Sequence, residues 1–138
     1  MKNYNSKFKI LPHPADLKIQ AYGRTKEELF SNMLKGITAS QKATALPEKV
    51  KKEIEINSSD LPSLLVDFLN EVLYLTQTNK EIYNIVEFKK LSNLKLEAEL
   101  QGRKVERFGE DIKAVTYHSL DVHQEEDGTW QATVLCDI

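Results

Sequence analysis

The side chains in this sequence best suited to chemistry are carboxylates and imidazoles placed at the ends of apolar runs. Near the start, His13-Pro14-Ala15-Asp16 forms a polar knot between two short apolar stretches, and at the other extremity an apolar run closes on Cys136-Asp137-Ile138. If the flanking runs are central, adjacent strands, then Asp16, Asp137 and the free carboxylate of Ile138 converge. Three oxygen-bearing groups favour a hard divalent cation such as Mg²⁺, Mn²⁺ or Ca²⁺. Spacing alone does not force that convergence; the elements between must bring it about.

Three further sets carry candidate chemistry. His13 and Asp16 stand three apart at a strand break, where the loss of the two-residue period lets one stretch aim both groups at one site; the plain alternative is a turn histidine and a turn aspartate. Lys113-Ala114-Val115-Thr116-Tyr117-His118 offers a cation for phosphate and a neutral imidazole for metal or proton transfer, or else is an ordinary start of a strand. Asp67, Asn70 and Glu71, spaced i, i+3, i+4, share one helix face, which is either solvated or directed into a polar site. Cys136 lies in the alternating run Trp130, Ala132, Val134, Cys136 and reads as a buried small apolar residue, not a nucleophile.

The elements that must position these groups follow from periodicity. Phe8 to Leu11 and Leu17 to Tyr22 read as strands, the latter with Leu17, Ile19 and Ala21 inward, and Pro12 and Pro14 suit the break between them. Thr25-Lys26-Glu27-Glu28 matches a capping box opening a helix at Lys26, with Leu29, Phe30, Met33, Leu34 and Ile37 as its apolar stripe. Gln41 to Pro47 reads as a loop. Val50, Lys52, Ile54 and Ile56 alternate as the inward side of a strand, and an inward Lys52 suggests an edge or end. Ser58-Ser59-Asp60 supplies caps and Pro62 a first turn for a second helix over about Leu61 to Thr76. Strands follow over Ile82 to Lys89 and Leu94 to Leu100, then a charged loop or short strand from Arg103 to Asp111 hinged at Gly109. The chain ends in a hairpin, Thr116 to Gln124 against Thr129 to Asp137, turned at Asp127-Gly128. Two helices and six or seven strands predict an α+β two-layer sandwich, a largely antiparallel sheet with both helices on one face.

The totals bound the function. At 138 residues the chain is expected to be one domain, 1–138, large enough for a core of its own. Hydrophobic residues are 41% and no apolar run approaches the roughly 18 residues of a membrane span. Met1 to Lys7, followed only by Phe8 to Leu11 with Lys9 inside it, does not match a secretory signal. A lone cysteine gives no reason to look beyond a reducing cytoplasm. A net charge of -2 and a pI near 5.9 argue against a general nucleic-acid coat. No phosphate-binding glycine loop, GxSxG, HExxH or paired-cysteine zinc pattern is present.

Taken together, His13-Pro14-Ala15-Asp16 with Ala21-Tyr22-Gly23, the run Asp60 to Tyr74, Lys113 to His118 and the closing Asp137-Ile138 resemble the archease family, in the right order and over essentially the whole chain. Pro14 departs from the family's usual threonine. The resemblance implies a protein cofactor, not an enzyme by itself, that serves an RtcB-type RNA ligase in tRNA splicing or RNA repair. It promotes the ligase's guanylylation by GTP and its repeated turnover, meets RNA only through the ligase, and binds a divalent metal. By matching motif, Asp16 and Asp137 become metal-site residues, the Ile138 carboxylate an additional ligand and Lys113 the functional basic residue; motif membership extends the site to His13 and His118. Two alternatives stand beside this: a stand-alone metal-dependent phosphohydrolase using Asp16, Asp137, His13 and His118, and a general chaperone or nucleic-acid adaptor with no metal role.

Overall fold

A computed structural model describes residues 7–11 and 16–138; His13 and Pro14 lie outside the described residues. In chain order the elements are β1 (Phe8–Leu11), β2 (Leu17–Gly23), α1 (Lys26–Ser40), β3 (Thr44–Asn57), α2 (Leu61–Asn79), β4 (Glu81–Leu91), β5 (Lys95–Arg107), β6 (Ala114–Gln124) and β7 (Trp130–Asp137). The architecture is α+β with all pairings antiparallel, as expected, but the strands divide into two sheets. One has the order β1-β2-β7-β6 and the other β3-β5-β4.

Local chemistry sets most element ends. Thr25 Oγ1 accepts from the Glu28 amide at 3.1 Å, the predicted cap of α1. The returning arm of the capping box differs: Glu28 Oε1 accepts from the Arg24 amide at 3.3 Å, one residue earlier than the box requires. Asp60 Oδ1 accepts from the Ser63 amide at 2.8 Å and caps α2, whose other end runs to Asn79 before Lys80 turns left-handed at φ 55°. Gly128, at φ +90°, closes the β6–β7 hairpin with its amide on the Glu125 carbonyl at 2.9 Å, a turn conformation that glycine adopts without steric cost.

Thr44 to Pro47, read as a loop, is strand, and Arg103 to Arg107, read as loop or short strand, continues β5, for a shared reason. β3 begins at Thr44 and β5 continues to Arg107, and they pair with each other, Thr44 opposite Arg107 and Ala45 opposite Val105. Pro47, which argued for a loop, sits in the register break between Ala45 and Lys49, where no ladder donor is demanded. Gly109 is anchored and not a hinge, its amide donating to the carbonyls of Gln41 and Lys42 at 3.1 Å each.

The core draws on both helices and both sheets. The five stripe residues of α1 are all fully buried, as are Leu64, Leu65, Phe68 and Leu69 of α2. Phe30, Phe68 and Phe88 form a ring trio with centroids 5.8 to 6.3 Å apart, joining α1, α2 and β4. Each helix contacts strands of both sheets. The polar residues of α2 serve this packing: Asn70 donates Nδ2 to the Val115 carbonyl at 3.0 Å and accepts the Val115 amide at 2.8 Å, and Gln77 donates to the Ile112 carbonyl at 2.9 Å. Of the predicted face, Asn70 thus satisfies backbone groups at the outer edge of β6.

Lys52 lies on the edge strand β3, as its inward position suggested. Its ammonium is 3.9 Å from the buried Glu81, which also takes Lys104 at 2.8 Å and a short hydrogen bond from the Tyr83 hydroxyl. Burial opposes the Glu81 charge, but the hydrogen bonds from Lys104 and Tyr83, with the charges of Lys104 and Lys52, outweigh it and hold the pKa below the usual 4.5.

Two outcomes follow. Asn70→Ala leaves both backbone groups of Val115 without their partner and is expected to cost about 1–3 kcal/mol in urea denaturation; an unchanged midpoint would mean that water serves this edge equally well. Because the folded pKa of Glu81 is depressed, its stabilisation is full above about pH 4.5 and lost as pH falls through the folded value. The melting-temperature gap between wild type and Glu81→Gln should therefore narrow between neutral and strongly acid pH, and a constant gap would refute this assignment.

Candidate functional site

β2 and β7 are the two central strands of the four-stranded sheet and neighbours in it. Their register runs from Gly23 opposite Trp130 to Leu17 opposite Cys136. The ladder ends there, and Asp16 and Asp137 each lie one residue beyond its last pair, at the same end of the sheet. Cys136 is fully buried, whereas Asp137 is exposed and Asp16 half-buried.

β6 brings the third group. Ala114 is opposite Asp137, and the Lys113 amide donates to the Asp137 carbonyl at 2.8 Å. Lys113 is exposed and its backbone is tethered to the strand end that carries Asp137 and Ile138. His118 is not brought there. Between Thr116 opposite Leu135 and Asp121 opposite Thr133 the register breaks, leaving residues 117–120 across from Val134 alone, and Ser119 turns to φ 56°. His118 stands exposed in this bulge, five residues along the strand from Lys113. His13 lies outside the described residues, so the structure places Asp16, Asp137, Ile138 and Lys113 at one sheet end and His118 elsewhere.

Among the described residues, the donors at that end are oxygens, the side-chain carboxylates of Asp16 and Asp137. Such a set suits a hard divalent ion. Among the described residues, no three His, Cys, Asp or Glu side chains are grouped as a metal cluster.

Asp67, singled out on α2, is half-buried. It accepts from Ser58 Oγ at 2.5 Å and from Tyr117 Oη at 3.2 Å, so it ties the start of α2 to the β6 bulge. The sequence reading passed over Lys42 and Glu110. Their loops are clamped together, the Glu110 amide donating to the Gln41 carbonyl at 3.0 Å, and they border a cavity of about 270 Å³ that also takes Leu17, Ile112 and Ile138. Two charged loop residues far apart in sequence carry no local signal of this.

Solved structures share this arrangement of helices and sheets. The solution structure of protein 1598 from Methanobacterium thermoautotrophicum superposes with a TM-score of 0.68 at 27% identity, over 96% of this chain and 99% of that one. A crystal structure from Thermotoga maritima, described as an archease, possible chaperone, matches at the level of the fold, with a TM-score of 0.67 at 22% identity over 94% and 96% of the two chains. The chain belongs to the archease family: the family model described as Archease protein family (MTH1598/TM1083) matches residues 8–138. It is similar to protein archease of Methanosarcina barkeri, 36% identical over the whole of both chains, and to that of Pyrococcus furiosus, 31% identical over 91% of this chain and 94% of the relative.

Cys136 is beside these groups but chemically idle. Burial, and then the negative charge of Asp137, push its thiol up to about 12, so the thiolate is scarce at neutral pH. Native protein at pH 8 should resist a thiol reagent that labels it fully in denaturant; rapid native labelling would show that this sheet end opens.

Proposed function

We propose that this chain is the accessory protein of an RtcB-type RNA ligase, raising the ligase's guanylylation by GTP and its repeated turnover in tRNA splicing or RNA repair. The observation that supports the reading is the β2–β7 pairing, whose last pair, Leu17 opposite Cys136, stops one residue short of both Asp16 and Asp137, in a chain of the archease family. In this reading Asp16, Asp137 and the Ile138 carboxylate hold a divalent metal, Mg²⁺, Mn²⁺ or Ca²⁺. Bound there, the ion would supply positive charge to an anionic partner group. A sheet end with only carboxylates for ligands leaves coordination positions open for a partner to fill.

The chain's own residues do the positioning. Asp137 is held by its pairing with Ala114 and by the Lys113 amide, and Asp16 directly precedes Leu17, the last β2 residue paired with β7. Lys113, exposed at the same end, pairs with a phosphate or with a carboxylate of the ligase. His13 and His118 are accessory in this scheme; His118, set in the bulge, meets the partner at a separate point. The thiol of Cys136 is buried; in this reading guanylyl transfer belongs to the ligase, and RNA is met through it. Among the described residues no helix is long and apolar enough to cross a membrane, in keeping with work in the cytoplasm.

The test is RNA ligation by the cognate ligase with GTP and Mn²⁺, under single and multiple turnover, with and without this protein. Stimulation should fall by about tenfold or more in Asp16→Asn and Asp137→Asn, with circular dichroism unchanged because no core volume is removed. A C-terminal extension that moves the Ile138 carboxylate should also weaken it. Full stimulation by both Asn variants would sink the site assignment, whereas phosphate release by the chain alone, lost in Asp16→Asn, would favour the phosphohydrolase. Client binding that ignores chelator and needs no ligase would favour the chaperone reading.

A further inference from the structure

On the outer face of the three-stranded sheet, the alternation of β3 and β5 sorts charge unevenly. Over most of that face lysines and glutamates neutralise each other: Lys89 meets Glu53 at 2.8 Å and Lys95 meets Glu55 at 3.1 Å. At the Lys49 end this balance stops. Lys49 stands directly opposite Arg103 in the ladder, and Lys51 opposite Gln101. Like charges at opposed positions repel, and among the described residues neither Lys49 nor Arg103 has a carboxylate within 4.0 Å. Lys51 is only loosely held, 4.0 Å from a Glu99 that also accepts from Gln101 at 2.9 Å.

The backbone shapes this end into a pocket. Gly102 lies so close to β4 that a β-carbon there would fall 1.8 Å from the Ile82 carbonyl oxygen, so only glycine permits the approach. Beside it the register shifts between Tyr83 and Ile85, a bulge that puts Asn84 out into solvent. The result is a cavity of about 280 Å³ lined by Lys49, Lys51, Arg103, Asn84 and Gln101 together with Val50, Gly102 and Ile85, with no carboxylate among its lining residues. Three cations, two amide side chains and a few small and apolar groups form a receptor for an anion with several oxygens. Arginine and lysine together match phosphate, the first by its planar fork and the second as a point charge.

We propose that this pocket binds a phosphate group, presented either by a free nucleotide or by the backbone of a single-stranded RNA. None of its lining residues belongs to the four-stranded sheet that carries Asp16 and Asp137, so the pocket stands or falls apart from the function proposed above.

The test uses the full chain without any ligase. Pyrophosphate, a nucleoside monophosphate and a fluorescently labelled RNA 12-mer are titrated at low and moderate salt, by calorimetry for the first two and anisotropy for the third. Amide chemical shifts of the wild-type protein are followed in parallel. Binding should weaken with salt, move the amides of Lys49, Asn84, Gln101 and Arg103, and drop about tenfold in the double variant Lys49→Ala, Arg103→Ala. Lys89→Ala with Lys95→Ala, on the same face but paired, should bind as wild type does. Binding of the small anions identifies a nucleotide-sized site, and binding of RNA alone a strand-tracking one. No binding of any of the three, shifts confined to other residues, or equal loss in the paired-lysine control would overturn the proposal, and the wild-type shift map decides even if a variant fails to fold.

Discussion

The pairing of β2 with β7 is the constraint on which the rest depends. It joins the beginning of the chain to its end across seven consecutive residue pairs, and it fills the middle of the four-stranded sheet, with β1 and β6 completing the flanks. A one-residue slip in such a ladder would exchange its faces, exposing Ile19, Ala132 and Val134, which are fully buried. The core therefore enforces the register, and the register sets which polar residues lie at the strand ends. That Asp16 and Asp137 both lie one residue past the Leu17–Cys136 pair is a by-product of burying their neighbours.

A sheet of four strands has two open edges, and the fold closes one of them with a helix. β6 is bulged over residues 117–120, its register broken there. Asn70 and Gln77 of α2 supply hydrogen bonds to backbone groups of Val115 and Ile112 at its start. Asp67 receives Tyr117 from the bulge itself. The most apolar helix in the chain thus uses its few polar side chains to hold the strand that tethers Asp137 through Lys113, coupling the core to the sheet end in one step.

The three-stranded sheet handles charge in two ways. Toward the core, Glu81 is buried with Lys52, Lys104 and Tyr83 around it, an arrangement in which the desolvation of one carboxylate is offset by several donors. On the outer face, at the same end of β5, Lys49 and Arg103 oppose each other with no such compensation among the described residues. Neighbouring positions on one strand, Arg103 and Lys104, belong to these two regimes because the pleat turns them to opposite faces.

Much of this was legible in the amino-acid order, and the boundary is physical. The stripe from Leu29 to Ile37, the caps at Thr25 and Asp60, the Asp127-Gly128 turn and the buried character of Cys136 are local matters, decided by periodicity and by hydrogen bonds spanning a few residues. Sequence by itself determined the two helices, the terminal hairpin, and the resemblance that led to the family. Only the tertiary structure decided what non-local pairing controls. Thr44 to Pro47 and Arg103 to Arg107 look like loops because neither has a convincing pattern alone, yet each gives the other a ladder. The division into two sheets, the docking of the polar face of α2 on β6, the removal of His118 into a bulge and the opposition of Lys49 to Arg103 all depend on which strand lies beside which. That choice is made by burying one shared core, a quantity that no short window of sequence contains.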